Sequence, residues 1–152
     1  MDQKAIPIKA AILGYSGVIP FAVAAALFAF ANNGSRQTAL EGFLIYGAVI
    51  LSFLGGIRWG AASSSRHDPG RGLIVSVLPS LWAAFFLWWP SDETAAAGLM
   101  AGFILMGLLD RLRPGLNVPA WMVTLRTRLT FAVVACHLLV LAVIQNRNSF
   151  LF

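Results

Sequence analysis

The chain has 152 residues, of which 59% are hydrophobic and only 11% are charged, and its net charge is +5. Soluble proteins carry about 25% charged residues, and a soluble domain of this length could not bury so much apolar surface. The composition therefore predicts an integral membrane protein that forms a single domain. Basic loops on the cytoplasmic side of a membrane account for the positive charge, so we expect the lipid bilayer as a partner and no nucleic acid.

Five apolar stretches predict five transmembrane helices, at about residues 10–31, 38–62, 73–89, 94–109 and 129–145. Pro20 and Pro79 lie inside the first and third stretches and predict kinks, because proline lacks the N–H that a helix needs. Residues 116–125 are short and amphipathic, which predicts a segment that lies on the membrane surface before the last helix. The expected fold class is an all-α, five-helix membrane bundle.

Basic residues are distributed unevenly between the two ends of this predicted bundle. Eight lie on the side of the N-terminus and two on the other side: Lys4, Lys9, Arg66, Arg71, Arg111, Arg113, Arg126 and Arg128, against Arg36 and Arg147. Because basic loops stay in the cytoplasm, we expect a cytoplasmic N-terminus and a periplasmic C-terminus in a bacterial inner membrane. In an organelle the corresponding compartment for the N-terminus is the matrix.

Small residues on the second and fourth predicted helices have the spacing that lets membrane helices pack closely. On the second helix they recur every four residues, and on the fourth they form a GxxxG pair. The predicted packing residues are Ala48, Ser52, Gly55, Gly56, Gly60, Gly98 and Gly102. We therefore expect the second helix to be central and Gly56 to face a neighbouring helix.

An arginine lies inside the second predicted helix. Sixteen uncharged residues separate Glu41 from Arg58 and span roughly 24 Å of helix, whereas a hydrocarbon core is roughly 30 Å thick. Three interpretations of Arg58 remain open: it extends to the headgroups, forms a structural ion pair, or contacts a ligand. Asp110, or the backbone carbonyls around it, is the expected partner, because Asp110 ends another short apolar stretch on the same side. Trp59 is expected to cover the pair.

The last predicted helix adds further ligand or ion-pair candidates. Trp121, Arg126 and Arg128 lie at its entrance, and His137 lies inside it next to Cys136. Adjacent residues point to different helix faces, so these two make no metal site. A hydrogen-bonded packing histidine is favoured over a proton relay or a haem ligand, since both of those need a second partner.

The sequence lacks the residue patterns that common catalytic mechanisms need. The spans contain no paired carboxylates for acid–base catalysis, and the serines have no paired base. No phosphate-binding glycine loop is present. We therefore expect no catalytic residues and no metal site, and the sequence leaves any cofactor unknown.

Two stretches resemble a known family: residues 52–60, SFLGGIRWG, and residues 119–130, PAWMVTLRTRLT. The family consists of small polytopic membrane proteins of unknown function in proteobacteria and mitochondria, and includes the vertebrate transmembrane protein sixty-nine. The resemblance extends from about residue 6 to residue 141. It implies an inner-membrane protein and supplies no catalytic residue.

Two functions remain in competition, and a channel or small transporter is a weaker third, because one copy of the chain has too few polar residues in its spans to line a path. The first is a non-catalytic accessory or assembly partner of a larger membrane complex, which would contact other membrane subunits or form a homo-oligomer. The alternative is a binder or carrier of a lipophilic molecule such as a quinone, a lipid or a tetrapyrrole. The small-residue faces support the first function, and the two prolines and the five tryptophans of this Trp-rich chain support the second.

Overall fold

The structure is a computed structural model that describes residues 5–64, 70–112 and 119–149, and not the side chain of Asn33. The described residues form six α-helices: α1 Ile8–Ser16, α2 Ile19–Phe30, α3 Asn33–Ser63, α4 Gly70–Leu87, α5 Asp92–Leu112 and α6 Ala120–Ser149. Because α1 and α2 together form one span, five spans are long and apolar enough to cross a membrane. The predicted all-α five-helix membrane bundle is confirmed, and the protein is a multi-pass membrane protein.

The first span is interrupted between α1 and α2. Pro20 lies in the first turn of α2, where proline is tolerated because the N–H groups of a first turn have no helical partner. The Tyr46 hydroxyl of α3 donates a hydrogen bond to the carbonyl oxygen of Gly17 at 2.9 Å. Lipid offers no partner to an opened backbone, so this bond stabilises the interruption that Pro20 predicts.

The helix α3 packs closely on α4 at Gly55. A Cβ atom added to Gly55 would lie 2.5 Å from the carbonyl oxygen of Ser76 and 3.4 Å from Cγ of Pro79. The helix α4 continues through Pro79, which is buried against this glycine. The two backbones therefore approach each other at a position where only glycine fits.

The predicted packing row on α3 is wrong at Gly56 and Gly60. Both glycines are exposed, and no described atom lies within 4 Å of a Cβ added to either. At 3.6 residues per turn, each step of four residues turns the row by about 40° around the helix. The row therefore leaves the buried face after Ala48, and this face continues through Leu51 and Gly55, while Ser52 is only partly buried.

The glycines of the GxxxG pair on α5 are buried against side chains. A Cβ atom at Gly98 would overlap the ring of Phe86, and one at Gly102 would lie 2.6 Å from Leu51 Cδ2. Trp82 Nε1 also donates a hydrogen bond of 2.7 Å to the carbonyl oxygen of Gly98. These glycines make room for large side chains of α3 and α4.

The last span is one helix from Ala120 to Ser149. Residues 120–125, expected as part of a separate surface segment, are its first turns, while residues 116–118 lie outside the described residues. Leu125 is buried, and its Cδ2 atom would lie 3.5 Å from a Cβ added to Gly14 of α1. Packing against α1 thus extends α6 further than the apolar pattern indicates.

The helix α3 contacts α2, α4 and α5, while α6 contacts α1, α2 and α5. The largest fully buried side chains are contributed by α2, α3, α5 and α6: Phe21, Phe43, Leu51, Leu99, Phe103, His137 and Val140. Many large apolar side chains point outward, including Ile8, Phe30, Ile74, Trp88 and Phe131. In a protein with five membrane spans this outer surface contacts the lipid bilayer.

Candidate functional site

Three charged residues of three different helices meet at one end of the bundle. Arg58 lies near the end of α3, Asp110 near the end of α5, and Arg126 near the beginning of α6. Successive spans cross the membrane in opposite directions, so these three positions lie on the same side. We refer to Arg58, Asp110 and Arg126 as the charge cluster.

Asp110 is placed between the two arginines. Arg58 Nη1 donates a hydrogen bond to Asp110 Oδ1 at 2.8 Å. Arg126 Nη2 lies 2.8 Å from the other carboxylate oxygen, Oδ2. Each oxygen of one carboxylate thus faces one guanidinium group. The geometry places Arg58 in an ion pair with the acid expected from the sequence, and adds Arg126, whose pairing with Asp110 was not anticipated.

The charge cluster is largely removed from solvent and carries an excess of positive charge. The side chains of Arg58, Asp110 and Arg126 are 19%, 10% and 12% exposed. Two cations face one anion, so the formal charge of the cluster is +1. Charged groups away from water are stable when they are paired, and one positive charge here exceeds what Asp110 neutralises.

Arg126 keeps a donor without an aligned acceptor. Its Nη2 atom is buried and makes no hydrogen bond to any described residue. The 2.8 Å approach to Asp110 Oδ2 is therefore a contact of opposite charges whose N–H direction does not meet the oxygen. Since an arginine has five N–H donors, Arg126 has the capacity to bind a further acceptor.

Arg126 also lines an apolar cleft of about 190 Å³ between α1–α2, α3 and α6. Among its described wall residues Arg126 is the charged one, and the others include Leu13, Val18, Phe21, Ile50, Phe53 and Val133. Val133 lies seven residues along α6 from Arg126, or about 10 Å deeper. The cleft therefore has a charged end and an apolar interior.

The charged end of the cleft lies near the membrane boundary. The helix α6 has 30 residues and is about 45 Å long, so it extends beyond a hydrocarbon core of about 30 Å. Arg126 lies in the second turn of this helix. This depth suits an amphiphilic molecule, whose polar head stays near the headgroups while its tail enters the hydrocarbon.

A second cavity, of about 560 Å³, lies between α3, α4 and α5. Its described wall is formed by apolar residues such as Leu51, Leu78, Phe85 and Leu105, together with Trp82. The Trp82 indole N–H is already bonded to the Gly98 carbonyl. This cavity can accommodate hydrocarbon, but its described wall offers no group that would select a ligand.

His137 lies deep in the core. Its Nδ1 atom is 2.9 Å from the carbonyl oxygen of Val133, and its ring contacts Phe21, Phe43 and Phe103. Nε2 has no hydrogen-bond partner among the described residues. In the described part of the chain no three His, Cys, Asp or Glu residues lie together as a metal site would require. This environment is typical of a packing histidine.

The other sequence candidates lie outside the charge cluster. Trp59 is 47% exposed, as an aromatic anchor at a membrane boundary would be. Trp121 is partly buried and Arg128 is exposed. Sequence reasoning missed Tyr46 as the partner of the opened backbone, although a hydroxyl inside an apolar span needs an acceptor. It also missed the cleft, whose walls depend on the interruption between α1 and α2.

Most of the chain matches a known protein family. A family described as "Protein of unknown function (DUF3429)" matches residues 6–142. The chain belongs to this family. The matched region includes Arg58, Asp110 and Arg126, so the charge cluster lies within the part shared with the family.

The chain is also similar to Transmembrane protein 69 of Xenopus tropicalis, with 36% identity over 143 residues. The alignment covers 88% of this chain and 54% of that protein. The chain therefore spans about half the length of this relative. No solved structure matches the chain.

Proposed function

We propose that this protein is a non-catalytic membrane protein that binds a lipophilic molecule in the cleft between α1–α2, α3 and α6. The observation that carries this proposal is an apolar cleft whose described wall contains one charged side chain, the guanidinium-bearing Arg126. Ligand sites combine apolar walls with a few polar groups that fix orientation. This combination is found in the cleft and not in the described wall of the larger cavity.

The size of the cleft narrows the class of ligand. Pockets that enclose drug-sized molecules have volumes of about 300–1,000 Å³, whereas the cleft measures about 190 Å³. It therefore holds one part of a molecule while the remainder lies among the lipid chains. A chain-like amphiphile such as a lipid or a quinone with its tail fits this arrangement better than a planar tetrapyrrole.

Purification in a mild detergent, followed by mass spectrometry of co-eluting small molecules, tests the proposal. We expect a lipophilic molecule to co-purify with the wild type and to be lost from Ile50→Trp, which fills the cleft. The matched control is Val49→Trp, because Val49 is exposed to lipid and adds the same bulk outside the cleft. Equal retention by both variants would refute binding in the cleft.

An accessory or assembly role in a larger complex is the second candidate. One observation favours it: Gly56 and Gly60 form an exposed small-residue face on α3, with no described atom within 4 Å of an added Cβ. A helix of another subunit, or a second copy of this chain, could approach closely there. Proteins that co-elute in the same purification, and depend on Gly56, would support this role.

We also infer a bacterial inner-membrane location with the basic end of the bundle in the cytoplasm. Among the described residues this end carries Lys9, Arg58, Arg71, Arg111, Arg126 and Arg128, with Asp110 as its one acid. The opposite end carries Arg36 and Arg147 together with the acids Glu41, Asp92 and Glu93. By the preference of basic segments for the cytoplasm, the C-terminus is periplasmic.

Topology reporters fused after Lys9 and after Phe152 test this orientation. Five spans place the two fusion points on opposite sides of the membrane. We expect a cytoplasmic signal from the first fusion and a periplasmic signal from the second. Reversed signals would contradict the orientation, and identical signals would contradict the number of spans.

A further inference from the structure

We propose that the molecule in the cleft has an anionic head, a phosphate or a carboxylate, which contacts Arg126 and is attracted by the second guanidinium group of the cluster, Arg58. This inference rests on the proposed binding of a lipophilic molecule in the same cleft and adds the chemistry of its head. A neutral head, such as a quinone carbonyl, is the competing class. Charge, donor geometry and position in the membrane each favour the anion.

The net positive charge of the cluster favours an anionic head. Arg58 and Arg126 share one carboxylate at 2.8 Å each, and the three side chains are at least four-fifths buried. One positive charge is left without a counter-charge among the described members of the cluster. Electrostatic attraction is strong where water is scarce, so an anion at this place would stabilise the cluster, while a neutral carbonyl would leave its charge at +1.

The number and alignment of the guanidinium donors also favour an anionic head. Asp110 accepts one hydrogen bond from Arg58 Nη1 and has no aligned bond from Arg126 Nη2. Two guanidinium groups offer ten N–H donors, far more than the two oxygens of Asp110 can accept. Guanidinium groups bind phosphate and carboxylate through pairs of parallel hydrogen bonds. Arg126, which lines the cleft, is therefore the expected primary contact of the head.

The position of the cluster in the membrane favours an anionic amphiphile as well. Arg126 lies near the membrane boundary, and the apolar part of the cleft extends deeper, to Phe21 and Val133. An anionic amphiphile in this orientation keeps its head at the level of the lipid headgroups and its tail in hydrocarbon. Arg128 lies at the same level but is exposed. It contributes to the general attraction of the basic end without facing the cleft.

Binding of matched amphiphiles tests the head. Delipidated protein in a neutral detergent is titrated with hexadecyl phosphate, palmitate, hexadecanol and inorganic phosphate, and the bound fraction is measured by native mass spectrometry. We expect both anionic amphiphiles to bind at least about tenfold more tightly than hexadecanol, since hydrogen bonds to charged groups exceed neutral ones. Inorganic phosphate should bind weakly because it has no tail for the cleft.

Three variants assign the preference to the cluster. Arg126→Gln and Arg58→Gln each leave one arginine paired with Asp110, so both should fold, and both should reduce the tenfold preference to about twofold or less. Arg128→Gln removes the same charge from an exposed position of α6 and should keep the full preference. Two independent cluster variants keep the test valid if one of them unfolds.

Four outcomes would contradict either the anionic head or the proposed function. Equal binding of all three amphiphiles, abolished by Ile50→Trp, would overturn the anionic head and leave the proposed function standing. A preference lost equally in Arg128→Gln would assign it to the basic surface and also overturn the inference. Tight binding of inorganic phosphate alone would identify a free-anion site and overturn the amphiphile. Absence of binding by every amphiphile would refute the proposed function itself.

Discussion

Replacing Gly55 with leucine should destabilise the folded bundle by about 3 kcal/mol, because it overpacks the contact between α3 and α4. Even the first added atom, Cβ, would lie 2.5 Å from the carbonyl oxygen of Ser76. That oxygen belongs to the backbone of α4 and cannot move without separating the two helices. The free energy of unfolding in mixed detergent micelles, followed by tryptophan fluorescence, measures the effect.

Gly56, the next residue of α3, provides the matched control. Nothing described lies within 4 Å of its added Cβ, so Gly56→Leu should lower the unfolding free energy by no more than about 0.5 kcal/mol. Helix propensity favours leucine over glycine at both positions, and this contribution cancels in the comparison. Equal losses at the two positions would contradict the packing of α3 on α4.

Replacing Asp110 with asparagine should cost about 3 kcal/mol, because it leaves two partly buried guanidinium groups without a counter-charge. Both arginines approach this carboxylate to 2.8 Å, so their mutual repulsion adds to the lost attraction. Arg58→Gln should cost less, since Arg126 and Asp110 remain as a pair. The same unfolding measurement in mixed micelles compares the variants.

The double variant Arg58→Gln with Asp110→Asn isolates the ion pair. Since removal of either partner already abolishes their contact, the double variant should cost at least about 1 kcal/mol less than the sum of the two single variants. The exposed Arg128→Gln serves as the control and should combine additively with Asp110→Asn. Strict additivity between Arg58 and Asp110 would mean that the two side chains do not meet in the folded protein.

Much of the architecture could be predicted because bilayer thickness sets the length of each span. The pairing of Arg58 with Asp110 could be anticipated for the same reason: both residues end apolar stretches that are too short to reach water at both ends. Alternation of the spans then brings the two residues to one side. These inferences depend on length and charge, which a sequence displays directly.

The buried face of each helix could not be predicted in the same way. The row of small residues on α3 suggested Gly56, but the contact with α4 is at Gly55, because a four-residue row turns steadily around the helix. On α6, Arg126 and Arg128 are about 200° apart, so only one of them can face the bundle. Which one does so depends on the packing of the first turns of α6. Because these turns contain charged residues, the apolar pattern did not predict that the last helix begins there.

Photo-crosslinking with hexadecyl phosphate that carries a diazirine in its alkyl chain locates the bound tail directly. The proposed site predicts adducts on buried or partly buried residues that line the cleft, such as Phe21 of α2, Leu54 of α3 and Val133 of α6. These adducts should disappear in Ile50→Trp and persist in Val49→Trp. Adducts confined to outward-facing residues such as Phe30 and Phe131, and unchanged in Ile50→Trp, would show that the cleft holds no tail.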